Sequence, residues 1–537
     1  MKKYDVSSDT RDVLDILIKQ NDYISLNKII NILDKKPNYL RTLQKIIKEL
    51  KDNQRVIQEG KASLAKVRIE NIQRSYRRYD FIYVVKNNQA AGIIFKLDDM
   101  YRFYYLSDYI ADGLPAITLL NVSISPYDFK EIPALFEEDI PEGINREILE
   151  TAHKTSDEFE LLTLLSDNIG DLSFTKTLDD VNINKAITSP SYLSIQDAML
   201  GTNKKINVLS NFKINIDEEF LFPESHDLTK LKQAKNDGIS GFQYKKLVNI
   251  DFEKKEIYDD GNITHHYILK PYSKIKSNKN TESYFPHIAL NEHLFMSFAK
   301  NELGFKVPYS AIVKTDNSEY HYVVKRFDRY KLSKYAKSTF AVYMGLRSDN
   351  KYDTSSEKLF TRIAKELISP HQRMELLKHY VYSVIIQHED MHTKNLSSII
   401  DKGKVLFSPL YDIACTGIYS TTKKLDSHIS INGKQTNIRP NDFKVLCKIL
   451  NIKHSDFKKE AFIIANTYKN GLPLYLDEID KLGSIPFYKM IQSVKIGEGP
   501  IWKAMPEAEE FSNILRKFYN KRVIELTSLG WINTTIE

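Results

Sequence analysis

The chain has 537 residues, of which 42% are hydrophobic and 27% charged; global disorder, collagen and a coiled-coil rod are excluded, and three or four domains are expected. Two cysteines, Cys415 and Cys447, exclude a disulfide scaffold and a zinc ribbon and suit a reducing cytosol. The net charge of +7 is uneven: residues 1–78 carry 18 Lys/Arg against 10 Asp/Glu, so the other 459 residues sum to −1 and a polyanion partner is sought at the N-terminus.

No stretch approaches the ~18 apolar residues of a membrane span, and Met1–Val6 lacks the apolar core of a signal peptide. A cytoplasmic protein without a membrane partner is expected. The apolar positions 13, 14, 16, 17 and 18 predict a buried helix face within Arg11–Gln20. Ser25 is an N-cap for a second helix, Leu26–Leu33. A third is predicted over 37–50, with Pro37 in its first turn. Two extended runs, 56–58 and 65–69, follow across the turn Glu59-Gly60-Lys61.

Three helices and a basic hairpin in residues 1–75 resemble a winged helix-turn-helix, whose third helix enters the major groove of duplex DNA. Its outer face carries Arg41, Gln44, Lys45 and Lys48; the lysines and arginine would neutralise phosphates and Gln44 would read a base edge. Winged helices also serve as protein-interaction modules, and that reading stays open.

From Tyr79 the pattern turns to strands: 81–85, 91–95 and 101–106, with Lys86-Asn87-Asn88 as a hairpin turn. Pro141-Glu142-Gly143 leads into a helix, and 161–172 reads as helix, turn and return to sheet. This β-rich part is bounded at 76–190.

Chemistry concentrates further on. The apolar helix 380–387 runs into His388-Glu389-Asp390-Met391-His392-Thr393-Lys394-Asn395, and Asp412 lies seventeen residues beyond Asn395. Asp-x4-Asn followed by a second Asp is the arrangement of kinase catalytic loops. Asp390 would accept the proton of the attacking hydroxyl, while Asn395 and Asp412 would hold Mg²⁺ against the phosphates of ATP. A polar helix end capped by Asp390 is the plainer alternative. His388 and His392 lack a third ligand at zinc spacing. Upstream come a Gly-containing loop, 237–245; a strand ending in Lys270, suited to the α/β-phosphates; a helix, 287–298, with Glu292 as a possible ion-pair partner of Lys270; and a strand, 320–324, running into a hinge at 325–329. These fill an N-lobe over 191–329 and an α-helical C-lobe over 330–537.

Several segments together resemble the HipA-like serine/threonine kinase toxins of bacterial toxin-antitoxin systems. They are 238–245, Ile268-Leu269-Lys270, Asn291-Glu292, 323–329, Lys351-Tyr352, 390–395 and 409–412; Ile140–Arg146 and Asp167–Gly170 resemble the family's N-terminal subdomain. A fused winged helix is similar to the YjjJ-type subgroup. The resemblance implies an α+β, bilobal protein-kinase-like fold. It implies Asp390 as catalytic base, Asn395 and Asp412 as metal ligands and Lys270 as phosphate ligand. It also implies a phosphate loop of Ser240, Gly241, Phe242, Gln243 and Lys245, adenine contacts from Lys325, Arg326 and Phe327, and His392, Lys394 and Tyr411 beside the nucleotide. Ser240 would be an autophosphorylation site. The implied substrate is translation machinery of the aminoacyl-tRNA synthetase class, with an antitoxin protein as a possible partner. Two departures are visible: His388 replaces the family's Asn two residues before the catalytic Asp, and Gly238 replaces the first loop serine. A transcriptional regulator that only senses nucleotide is the competing function, and small-molecule phosphorylation shares the same residues.

Overall fold

In the computed structural model, Ser8–Gln20, Leu26–Ile32 and Leu40–Asp52 are helices, the last preceded by a 3₁₀ turn, Pro37–Tyr39. Ser25 caps the second helix by accepting from Lys28 N at 3.3 Å. A three-stranded antiparallel sheet closes them, in the order Ile24–Ser25, Lys66–Ile69, Val56–Glu59. The structure describes residues 5–61, 64–165, 167–179, 189–200, 211–212, 215–216, 237–238, 243–259, 264–272, 285–314, 320–493 and 501–532.

The chain divides into two units: Met1–Glu137 with Ser156–Ser189, and Glu138–Thr155 with Pro190–Glu537. The first unit unites the N-terminal helices with a five-stranded antiparallel sheet. Its order is Tyr127–Phe129, Tyr101–Tyr105, Gln89–Lys96, Asp80–Lys86, Leu172–Thr175. The predicted hairpin turn is real: Lys86 pairs with Gln89, and Asn87 and Asn88 both take positive φ (49° and 64°), which asparagine tolerates in two-residue loops. The boundary expected at 75/76 does not separate units. Arg55 explains why. Its fully buried guanidinium donates to Ile124 O at 2.8 Å and Tyr105 O at 2.6 Å and lies over the Tyr104 ring. Burial pulls it down to about 10. The helical part is thereby built into the sheet's core.

The second unit begins with Glu138–Thr155, which sequence assigns to the β-rich part. Among the described residues its main sheet has seven strands. The central five, in spatial order, are Ser310–Lys314, Tyr320–Lys325, Tyr267–Lys270, Lys246–Asp251 and Glu256–Tyr258. Val248, Ile257, Leu269, Ala311, Val313 and Val323 form one core face. Ala289 of the helix Ile288–Asn301 packs with Tyr322 and Val324 on the sheet. A small antiparallel sheet follows, Ala336–Thr339, Ser397–Asp401 and Lys404–Phe407, with the helices Pro370–Ile385, His454–Asp480 and Phe511–Ser528. Arg522 closes the end of Pro370–Ile385, donating to Val384 O at 2.6 Å and Ile385 O at 3.1 Å while pairing with Asp426 at 2.7 Å. Helix-terminal carbonyls have no intrahelical partner, and a buried end needs such donors. The element so fixed leads directly into His388–Asn395. Among the described residues no helix is long and apolar enough to cross a membrane.

Candidate active site

Lys270 ends its strand with its ammonium buried. It donates to both carboxylate oxygens of Glu292 at 2.8 and 2.6 Å and lies 2.5 Å from Asp412 Oδ1. The expected Lys–Glu pairing is therefore made, and the loop aspartate joins it. Lys245 Nζ approaches the other Asp412 oxygen at 3.8 Å. Burial alone would raise Asp412, but Lys245 and Lys270 outweigh it and hold its carboxyl well below the usual range. Burial would likewise lower Lys270, and Asp412 and Glu292 reverse that. Burial pushes Glu292 up to about 7 against the opposing pull of Lys270. Asp412 itself has φ +54°, a left-handed backbone that aspartate tolerates better than most residues.

Asn395 is oriented by its surroundings. Its amide nitrogen contacts Asp390 O at 3.1 Å, Asp412 O at 3.5 Å and His388 Nε2 at 3.3 Å. Carbonyl oxygens only accept, so the NH₂ group must face them. His388 Nε2 is then the lone-pair nitrogen, and Nδ1 donates to Ala414 O at 2.9 Å. Burial lowers the His388 pKa and keeps the ring neutral. Among the described residues no donor reaches Asn395 Oδ1. An amide oxygen thus stands with the Asp412 carboxylate, 38% exposed.

Asp390 presents the most open carboxylate of the group, with 55% of its side chain exposed. Tyr352 donates to its Oδ1 at 2.5 Å, and His392 Nε2 stands 3.9 Å from the same oxygen. His392 is buried, which lowers it to about 4, and its Nδ1 accepts from Lys394 N at 3.2 Å. Lys394 Nζ binds Glu142 at 2.6 Å and Ser348 Oγ at 2.5 Å. Lys351 takes the other Glu142 oxygen at 2.8 Å. Tyr411 donates to Lys394 O at 2.6 Å, and its ring lies 5.4 Å from Phe327 and under the Lys337 ammonium.

The hinge is held together at Arg326. Its guanidinium turns inward, donating to both oxygens of Asp328 at 3.0 and 2.8 Å, and Arg329 joins that carboxylate at 2.7 Å. A buried guanidinium requires such a partner, and the pairing ties the hinge together. Lys325 N–H donates to Tyr309 O, and burial lowers its ammonium. Ser240, Gly241 and Phe242 lie outside the described residues, whereas Gln243 and Lys245 lie within them. Asn145 clasps the Lys245 backbone from both sides, accepting from its N–H at 3.1 Å and donating to its carbonyl at 2.8 Å.

Glu142, Asn145 and Tyr352 receive no role from sequence. Glu142 lies in the Pro141-Glu142-Gly143 turn and Asn145 in the helix that follows, and Tyr352 lies 38 positions from Asp390. In the first unit, Arg41, Gln44, Lys45 and Lys48 all project to solvent, while Leu43, Ile46, Ile47 and Leu50 of the same helix are buried.

Comparison with known proteins bears on the family and the fold. A HipA N-terminal domain matches residues 82–175, and a HipA-like C-terminal domain matches 238–469. A Haemophilus influenzae protein named "Putative kinase" is 31% identical over 205 residues, 35% of this chain and 56% of that protein. A similarly named Sinorhizobium fredii protein is 30% identical over 138 residues, 24% of this chain and 34% of that one. The chain thus spans about half, or less, of these curated relatives. The Shewanella oneidensis HipA structure, solved with HipB and operator DNA, superposes with a TM-score of 0.53 over 83% of this chain and 97% of that one, at 14% identity. At that identity the likeness speaks for the fold. Two HipA domains in order, on an α+β kinase-like fold, place this chain in the HipA-like family.

Proposed function

We propose that the chain is an ATP- and Mg²⁺-dependent serine/threonine protein kinase, acting as a growth-inhibiting toxin on translation machinery. The observation that carries this reading is the convergence of Lys270, Glu292, Asp412, Asn395 and Asp390 in one site. The donors fit magnesium: one carboxylate held ionised and one amide oxygen that no donor among the described residues reaches, both hard ligands. A bound magnesium ion would neutralise charge on the transferring phosphoryl group. Lys270 and Lys245 bind phosphate oxygens, and Phe327 and Tyr411 form an apolar wall for the base. Asp390 orients the substrate hydroxyl and takes its proton. A module that only senses nucleotide has no need of an open carboxylate at that position. Ser240 is read as an autophosphorylation site on the family resemblance.

The exposed row Arg41, Gln44, Lys45 and Lys48, on the third of three helices closed by a small sheet, supports a winged helix that binds duplex DNA. The Shewanella oneidensis assembly supports an antitoxin and operator DNA as partners. Incubation with γ-labelled ATP and cell extract tests the kinase reading. Wild type labels protein serine or threonine and Asp390→Ala does not; equal labelling by both, or none by either, would falsify it.

A further inference from the structure

Asp390 is an open carboxylate on a loop, and something must fix which of its oxygens meets the substrate. Its Oδ1 accepts from the Tyr352 hydroxyl at 2.5 Å. Among the described residues no hydrogen bond reaches Oδ2. Tyr352 is itself held firmly. Its ring lies 4.2 Å from the His428 ring and meets the His392 ring edge-on at 5.1 Å. The Lys351 ammonium stands 5.6 Å above it. The preceding carbonyl, Lys351 O, accepts from Thr393 Oγ1 at 2.8 Å, tying the tyrosine's backbone to the catalytic loop. The Lys351 ammonium is pinned by Glu142. The phenol carries its proton: burial, then the Asp390 charge, push it well above its ordinary value.

We propose that Tyr352 is a positioning residue for phosphoryl transfer, occupying Asp390 Oδ1 so that Oδ2 faces the attacking hydroxyl. The proposal rests on the kinase reading above. In the step, the substrate oxygen bonds to the γ-phosphorus as the bond from that phosphorus to the β,γ-bridging oxygen breaks. ADP leaves with that electron pair, and the hydroxyl proton passes to Asp390 Oδ2. Without the phenol the carboxylate can rotate, and both oxygens compete for one geometry. Misplacement on this scale costs one to two orders of magnitude in rate.

Single-turnover transfer from γ-labelled ATP by the full chain tests this, with ATP affinity and the thermal midpoint measured alongside. Tyr352→Phe, which keeps the ring, should lower the transfer rate about tenfold with ATP affinity unchanged. Because the tyrosine acts only through Asp390, adding Tyr352→Phe to Asp390→Asn should slow the residual rate no further. Wild-type rates for Tyr352→Phe, with loss only in Tyr352→Leu, would reduce the residue to packing and overturn the proposal. Equal losses on the wild-type and Asp390→Asn backgrounds would do the same, even for a variant of lowered thermal midpoint. Absence of transfer by wild type would remove the kinase reading itself, a result distinct from both.

Discussion

Glu142 and Lys394 stand 252 positions apart in sequence and meet at 2.6 Å, while the other Glu142 oxygen holds Lys351 at 2.8 Å. One carboxylate thus ties the Glu138–Thr155 insertion to the His388–Asn395 loop and to the segment carrying Tyr352. The insertion lies between two stretches of the first unit in sequence, yet it belongs to the second.

Glu142→Gln should destabilise the second unit by about 3 kcal/mol at neutral pH, because it leaves two lysines without their carboxylate. Burial alone would raise Glu142, but Lys394 and Lys351 outweigh it and depress it. A depressed native value gives stability that is complete above the unfolded value of 4.5 and lost as pH falls toward the native one. The gap between wild type and variant should therefore narrow by about 1 kcal/mol at pH 4. Denaturant unfolding at pH 7 and pH 4 reads it, and a gap that stays constant would speak against the ion pairs.

That insertion also marks where sequence stops being legible. Local signals read well: the Ser25 cap, the Asn87-Asn88 turn and the spacing of Leu43, Ile46, Ile47 and Leu50 each rest on neighbours a few residues apart. The grouping of Asp390, Asn395 and Asp412 reads because the first two share one short stretch and Asp412 follows one hairpin. Contacts closed only by tertiary packing do not read. Pro141-Glu142-Gly143 looks like turn chemistry until Lys394 arrives, and nothing near Arg55 in sequence reveals the Ile124 and Tyr105 carbonyls it serves. The Arg326 pairing is hidden for the same reason: its partner Asp328 is two residues away, but the burial that compels the pairing is not written locally.

His388 stands where the family usually has asparagine, and it fixes the Asn395 amide through Nε2. Loss of a residue that orients a metal ligand typically weakens metal use by about 10–100-fold. His388→Leu should raise the Mg²⁺ concentration for half-maximal phosphotransfer by that order. A magnesium titration checks it, and an unchanged midpoint would show that Asn395 needs no such support.

Arg522 and Asp426 are a buried pair at 2.7 Å, with side chains 3% and 4% exposed. Arg522→Leu leaves the aspartate uncompensated and uncaps the helix before the His388–Asn395 loop. We expect a loss of about 3–5 kcal/mol in urea unfolding. Removing Asp426 as well should recover part of it, because the stranded charge goes too. A single variant as stable as wild type would contradict this.

DNA binding is best measured on the full chain, because Arg55 builds the N-terminal helices into the neighbouring sheet. Reversing Arg41, Lys45 and Lys48 to Glu should abolish duplex binding and leave phosphotransfer intact. Wild-type affinity should fall steeply with salt, with those three side chains accounting for about three units of the slope. A wild-type chain that binds no duplex at low salt would favour a protein partner for this face.

The central claim is that Asp412 and Asn395 hold magnesium for phosphoryl transfer, and its most direct measurement uses purified protein, γ-labelled ATP and an Mg²⁺ titration. Wild type should transfer label to protein serine or threonine only when Mg²⁺ is present. Asp412→Asn should stay folded, with Lys270 still paired to Glu292, and lose transfer at every Mg²⁺ concentration. Undiminished, Mg²⁺-dependent transfer by Asp412→Asn would contradict the account.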